Sequence, residues 1–238
     1  MADVYTWPAE WYRFTQTQFT LRTLSLGSRS SLSPRRTTRL MYQIWQVQMT
    51  YARERGPSSW APKEAFFARL DGDVGLLRLA DTLRCQPTYN RHNRPPGIPW
   101  DDLNPWSDGS LWLAEGLVPP TATLAAAATR GAKDIVIGGL PPEADAALVP
   151  GDLIEIRPDG IPTETSNLYE VVRGGATDEY GTIGIEIRPR LRQSVIGGDM
   201  AVMQLAQGVF QLADGDQGAL SRDSNMGSFG FTAVEYTD

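Results

Sequence analysis

The chain has 238 residues, of which 41% are hydrophobic and 21% charged, and these proportions exclude a disordered chain. Its single cysteine, Cys85, excludes an intramolecular disulfide and a zinc site built from cysteines. The net charge of −6 argues against nucleic acid as a partner, and no apolar run approaches the ~18 residues of a membrane span.

The charge is unevenly distributed along the chain. Seven arginines and no acidic residue lie between Trp11 and Arg53, whereas residues 54–238 carry 26 acidic and 15 basic residues. Such asymmetry is typical either of a nucleic-acid-binding patch or of a surface that docks on an acidic neighbour, including another copy of the chain.

The N-terminal part is predicted to form strands. Alternation from Phe19 to Leu26 favours a half-buried strand, and residues 25–36 are predicted to form a loop because they are small, polar and contain Pro34. Residues 41–53 predict a second strand, in which Trp45 belongs to the buried face.

A helix is predicted over residues 62–72, between Pro62 and Gly72, followed by a strand over residues 73–81. Residues 84–118 are rich in proline and predict an ordered, irregular segment, because its tryptophans, Trp100, Trp106 and Trp112, are costly to leave in water.

Beyond residue 118 the sequence reads as short strands separated by turns. Residues 134–139, 151–160, 167–175 and 181–189 predict a small antiparallel barrel or sandwich, with Ile183, Ile185 and Ile187 in its core. Strands are also predicted at 200–205, 208–214 and 228–236, the last pairing with the N-terminal domain. The predicted fold is therefore mainly β, with an N-terminal antiparallel domain (residues 1–118, completed by 206–238) that contains one short helix, and an inserted barrel module (residues 119–205).

Catalytic and metal-binding patterns are weak. Cys85 and His92 offer a thiol and an imidazole without diagnostic spacing, and Glu155 with Glu170 offers a carboxylate pair that strand alternation explains equally well. The acidic stretches 71–75, 101–109 and 213–218 lack the pattern of a calcium loop and favour turns. We expect no enzymatic activity, no cofactor and no metal site.

One basic corner follows the clearest strand. Arg188, Arg190 and Arg192 surround Pro189. The corner is interpreted either as a strand-ending turn with solvated arginines or as an inter-subunit contact.

The C-terminal half has a recognisable order of motifs. Gly139-Leu140-Pro141 is followed by VPGDLIEI (149–156), LYEVV (168–172) and IEIRPRLR (185–192). This order, together with FFARLDG at 66–72, resembles the distal tail proteins of tailed bacteriophages.

The resemblance implies a structural virion protein that forms a ring at the distal tail or baseplate and joins the tail tube to the hub and fibres or receptor-binding proteins. It implies synthesis in the host bacterial cytoplasm, where the absence of a visible secretory signal also points, and a final location in the tail. The expected contacts between copies or with partners are made by six arginines: Arg35, Arg36, Arg39, Arg188, Arg190 and Arg192.

Two other classes of function stay open at this point. A carbohydrate-binding module at the tail tip would stack sugars on Trp100, Trp106 or Trp112. An enzyme would use Cys85 or a carboxylate pair as its nucleophile.

Overall fold

The computed structural model describes residues 3–12, 14–30, 33–51, 53–72, 74–92, 117–214, 221–223 and 226–237. The protein is mainly β, with 44% strand against 14% helix, which confirms the predicted fold class. A closed antiparallel barrel accompanies a mixed sheet.

The elements are named here in chain order. The strands are β1 (Val4–Thr6), β2 (Phe14–Ser30), β3 (Ser33–Tyr51), β4 (Glu54–Arg55), β5 (Leu76–Ala80), β6 (Thr121–Leu124), β7 (Asp134–Gly138), β8 (Leu153–Arg157), β9 (Asn167–Arg173), β10 (Ile183–Arg188), β11 (Met200–Val202), β12 (Gln207–Leu212), β13 (Ser221–Asp223), β14 (Met226–Ser228) and β15 (Gly230–Glu235). The helices are α1 (Pro57–Arg69) and α2 (Thr88–His92).

The chain divides into two units. The sheet unit comprises Met1–Thr82, Pro162–Asn167 and Gln207–Asp238, and the barrel unit comprises Leu83–Ile161 and Leu168–Ala206. The boundaries inferred from sequence are 118/119 and 205/206. Contacts place residues 83–92 with the barrel unit because, for example, the Asn90 side chain bonds both the amide and the carbonyl of Val118.

The sheet unit is built on a six-stranded sheet in the order β1-β5-β12-β15-β3-β2. Strand β1 runs parallel to β5, and the other neighbours are antiparallel. Strand β15 lies between β12 and β3, so the predicted pairing of residues 228–236 with the N-terminal strands is confirmed.

Alternation along β3 places one face of the sheet in the core. Trp45, Val47, Met49 and Tyr51 are all buried, as the period-2 pattern predicts for a strand with one covered face. Trp7 packs against the rings of Tyr51, Phe67 and Phe231 and donates a hydrogen bond from Nε1 to the Tyr51 hydroxyl at 3.1 Å. The Tyr51 hydroxyl in turn donates to the carbonyl of Trp11. Burial raises the pKa of Tyr51, which keeps this donor protonated.

Helix α1 begins earlier than the sequence predicts. It starts at Pro57, directly after Gly56 with φ of +87°, and ends at Arg69, so Pro62 lies inside the helix. The prediction assigned the helix-starting role to the wrong proline. Pro57 occupies the first helical position, where its fixed φ is favourable and a missing N–H costs nothing.

The predicted loop over residues 25–36 is wrong. Strand β2 continues to Ser30 and strand β3 begins at Ser33, so residues 25–30 and 33–36 extend an antiparallel hairpin. Ser, Arg, Gly and Pro are frequent in loops, but cross-strand hydrogen bonding overrides that local preference here.

The barrel closes in the order β10-β7-β6-β11-β8-β9, so each of its strands has two neighbours. Ile183, Ile185 and Ile187 point into its core with exposures of 4%, 2% and 0%, which confirms the prediction from their alternation. The core is apolar and includes Ile137, Ile154 and Ile156.

Truncating a barrel-core residue tests this packing. We expect Ile185→Ala to lower the free energy of unfolding by about 2–5 kcal/mol, because it removes buried methyl groups and leaves a cavity. Val172→Ala, on the outside of β9 where the side chain is 42% exposed, is the matched control and should cost less than about 0.5 kcal/mol. Urea unfolding of both variants measures the difference, and equal costs would contradict the assigned core.

Candidate interaction surfaces

The hairpin formed by β2 and β3 is much longer than the sheet that supports it. Strand β15 pairs with β3 only over Gln46–Thr50. Beyond this point β3 pairs with β2 alone, through Thr23↔Gln43 and outward to Ser30↔Ser33. We call residues 23–30 and 33–43 the arm. At ~3.3 Å per residue, the β2 side of the arm spans about 25 Å.

The arm is a two-stranded ribbon, and its outer edge belongs to β2. In the described ranges, β2 pairs with β3 and with no other strand. A two-stranded hairpin is marginally stable by itself, and a long edge strand offers unpaired N–H and C=O groups to another chain. From Phe14 to Ser30 the edge carries no acidic residue.

Three of the arginines expected to make contacts belong to the arm. Arg36 pairs with Ser28, and Arg39 with Ser25, in the backbone register of the hairpin, and Arg35 precedes them on β3. Their side chains lie outside the part of the chain that the structure describes. The arm thus carries four of the seven arginines of the acid-free segment found in the sequence.

The other three predicted arginines lie together on the barrel unit, at the end of β10 and directly after it. Arg188 Nη2 donates to Glu186 Oε1 at 2.9 Å, and Arg190 Nη1 donates to the carbonyl of Gly131 at 3.2 Å. The amide of Arg192 donates to the Tyr169 hydroxyl at 3.1 Å. These contacts fix the corner as an ordered turn.

The loop before β7 adds further basic residues to this corner. Gly131 N–H donates to the carbonyl of Leu191, and Leu191 N–H donates to the carbonyl of Ala132. These bonds hold residues 129–133 against residues 187–195. We call the resulting cluster the basic pole, which consists of Arg130, Lys133, Arg188, Arg190 and Arg192. Lys133 lies 3.8 Å from both Asp134 and Glu186, the two carboxylates at this pole.

The structure places the predicted thiol and imidazole in different settings. Cys85 is half-buried, and its carbonyl accepts a hydrogen bond from the amide of Leu205. His92 ends α2 with an exposed side chain. In the described part of the chain, neither side chain has a contact that would activate a nucleophile.

The carboxylates considered as a catalytic pair each have their own arginine. Glu155 is fully buried and accepts two hydrogen bonds from Arg157, at 2.7 and 2.8 Å. Glu170 is half-buried and accepts one from Arg84 at 3.0 Å. Each carboxylate is thus engaged in an ion pair within the barrel unit, where its role is structural.

The remaining candidates are outside the described residues or form no cluster. Trp100, Trp106 and Trp112 lie outside the described ranges, as do the acidic stretch 101–109 and most of 213–218. Where the structure describes side chains, no three His, Cys, Asp or Glu residues are grouped so that they could hold a metal ion. In the same described part, neither helix has the length and apolar character to cross a membrane.

The outer part of the arm, residues 27–30 and 33–40, was missed by sequence reasoning. A signal was present, since alternation continues from Phe19 to Leu26, and polar residues without acidic charge follow up to Ser30 and from Ser33. Pairing between residues 25–30 and 33–39 could be deduced only by aligning the two segments as one hairpin.

No protein-family model matches the chain, and comparison with curated proteins found no match. The protein is therefore classed by its fold and by these two surfaces. It is a mainly β chain that combines a sealed barrel with a sheet whose edge hairpin extends beyond its supporting strands.

Replacing the buried carboxylate tests its structural role. We expect Glu155→Gln to lower the free energy of unfolding by roughly 2 kcal/mol, because it removes the charge that Arg157, whose side chain is 19% exposed, binds through two hydrogen bonds. Glu170→Gln, at a half-exposed ion pair, is the matched control and should cost less than about 1 kcal/mol. Chemical denaturation measures both, and a larger effect at Glu170 would contradict this assignment.

Proposed function

We propose that the chain is a non-enzymatic structural protein of a bacteriophage tail, which forms a ring at the distal tail or baseplate. In that position it joins the tail tube to the hub and to fibres or receptor-binding proteins. The observation that carries the proposal is the arm, a long two-stranded ribbon with an exposed strand edge.

The arm supports assembly because its geometry suits pairing with a neighbouring copy. A strand edge binds another chain through main-chain hydrogen bonds, and the neighbour supplies the third strand that a lone hairpin lacks. A protein that remains alone in solution usually shortens, charges or covers such an edge. Strand β2 is 17 residues long and has Thr and Gln in alternation at its start.

Charge supports the same proposal. The segment between Trp11 and Arg53 is basic, and the rest of the chain is acidic overall. A ring joins two different surfaces of each copy, so opposite charges on those surfaces favour contact between unlike sides. Arginine suits such contacts because its planar group binds carboxylates through two hydrogen bonds.

The order of the sequence motifs is the reason for proposing a location at the distal tail. The order of the Gly139-Leu140-Pro141 turn and the motifs at 149–156, 168–172 and 185–192 resembles that of distal tail proteins. The first of these motifs overlaps all but the last residue of β8, the second lies in β9 and the third begins in β10, so the motifs lie on the barrel unit.

Reversing the charge of the arm tests assembly. We expect the triple variant Arg35→Glu, Arg36→Glu and Arg39→Glu to stay monomeric where the unchanged chain forms a discrete multimer, because a neighbour's acidic surface would now be repelled. Light scattering and negative-stain electron microscopy at low and moderate salt measure this. Outside the arm, the variant should keep the fold of the unchanged chain, which its circular dichroism spectrum checks.

A matched control separates position from net charge. Arg55, Arg69 and Arg91 are exposed and lie outside the arm. Replacing these three with Glu changes the net charge equally and should leave the multimer intact. Normal assembly of the arm variant would contradict the role of the arm's charges, and a monomeric wild-type chain at all concentrations would contradict ring formation by the chain alone.

Immunogold labelling tests the location. On phage particles that carry this gene, antibody against the chain should mark the tail end distant from the capsid, because the ring is proposed to close the tube there. Tailless particles from the same preparation provide the control. Labelling of capsids would contradict the virion role. Labelling of protein in the lysate, with no labelling of tails, would contradict it as well.

A further inference from the structure

The barrel unit carries opposite charges at the two ends of the same strands. The basic pole lies where β7 begins and β10 ends, at Asp134 and Arg188. These strands are antiparallel, with Ile183 opposite Ile137 and Glu186 opposite Asp134. Their other end is therefore formed by the residues after Gly138 and before Ile183. At ~3.3 Å per residue, the two ends are about 15 Å apart.

Four acidic residues occupy this second end. We call Glu143, Asp145, Asp178 and Glu179 the acidic pole. All four are exposed. Segments 139–149 and 175–182, which carry them, contain no lysine or arginine.

Backbone hydrogen bonds hold these two segments together. The amide of Glu143 donates to the carbonyl of Asp178, and the amide of Leu140 donates to the carbonyl of Gly181, both at 3.1 Å. Asp178 Oδ1 accepts from the amides of Tyr180 and Thr182. Gly181 has φ of +71°, and a side chain there would meet the Leu140 carbonyl at 2.0 Å. These hydrogen bonds therefore fix the backbone shape of the acidic pole.

Other carboxylates of the barrel unit are engaged within it. Asp152 accepts hydrogen bonds from Thr88 and Val149, Asp199 accepts from Ile196, and Glu170 pairs with Arg84. By contrast, Glu143, Asp145 and Glu179 extend from turns into solvent. Beside them Tyr180 is 78% exposed, and tyrosine is enriched at protein interfaces.

We propose that the acidic pole of one barrel binds the basic pole of the barrel in a second copy of the chain. This inference rests on the proposed ring and adds a second contact between neighbouring copies, separate from the arm. Because the poles are different surfaces at opposite ends, their contact is head-to-tail, as a ring requires. A polyanion would account for the basic pole alone, whereas a second copy accounts for both poles.

The test uses full-length charge-reversal variants in pairs. The acidic-pole variant is Glu143→Lys with Glu179→Lys, and the basic-pole variant is Arg130→Glu with Arg190→Glu. Each variant alone would bring like charges together, so its apparent association should weaken by about tenfold or more at low salt. Light scattering at a series of concentrations measures the association, and thermal melts verify folding.

Restored pairing is the decisive result. An equimolar mixture of the two variants should assemble, because one now has two acidic poles and the other two basic poles. The four-substitution variant, which exchanges the poles and keeps the net charge, should assemble by itself. Because Arg190 also bonds the Gly131 carbonyl, Arg130→Glu alone provides a second basic-pole variant if the double variant fails to fold.

The alternative outcomes separate this inference from the proposed function. If both single-pole variants assemble as the unchanged chain does, the pole contact is overturned while ring formation stands. If only the basic-pole variant is weakened and mixing restores nothing, the basic pole binds something other than the acidic pole, and the inference is overturned. If the unchanged chain never associates, the proposed ring itself fails before any variant is compared.

Discussion

Backbone hydrogen bonding at the edge of the six-stranded sheet is the constraint on which this account depends. Within the described ranges, strand β2 has a partner on one side only, and the outer part of β3 pairs with β2 alone. An edge N–H or C=O group that faces water loses little free energy, because water takes the place of the missing hydrogen-bond partner. A ribbon of two strands, however, gains too little packing to stay ordered by itself. Pairing with a neighbouring copy would supply both the hydrogen bonds and the packing.

The two units meet this constraint in opposite ways. The barrel closes on itself, so its strands offer no edge, and its charged groups are concentrated in the loops at its ends. Those loops are charged, basic after β10 and acidic before it. The sheet unit keeps an edge and offers main-chain groups. Assembly through the arm would therefore depend on strand pairing together with the arm's arginines, and assembly through the barrel on charge alone.

Much of the fold could be predicted from the sequence, because the alternation of buried and exposed residues and the residues that form turns can be seen within short stretches of the chain. Ile183, Ile185 and Ile187 alternate with exposed or half-exposed residues and enter the barrel core as predicted. Trp45 on β3 behaves in the same way. In these strands the hydrophobic pattern and the pairing agree, so a local reading is sufficient.

The surfaces were harder to predict, because they depend on contacts between distant residues. Residues 25–36 resemble a loop in composition, and only the register of 25–30 and 33–36 across the hairpin identifies these two segments as part of the arm. Glu143 and Glu179 are far apart in the chain and share one pole because two loops are hydrogen-bonded. Arg188, Arg190 and Arg192 were recognised as a corner from sequence, but Arg130 joins them only through the bonds of Gly131 and Leu191.

Hydrogen exchange of the β2 amides, read by mass spectrometry at low and high protein concentration, tests the central claim most directly. If neighbouring copies pair with the arm, amides of residues 14–30 should become protected as the multimer forms, while barrel-core amides of β10 stay equally protected in both samples. A multimer that forms with no gain of protection in β2 would contradict the account.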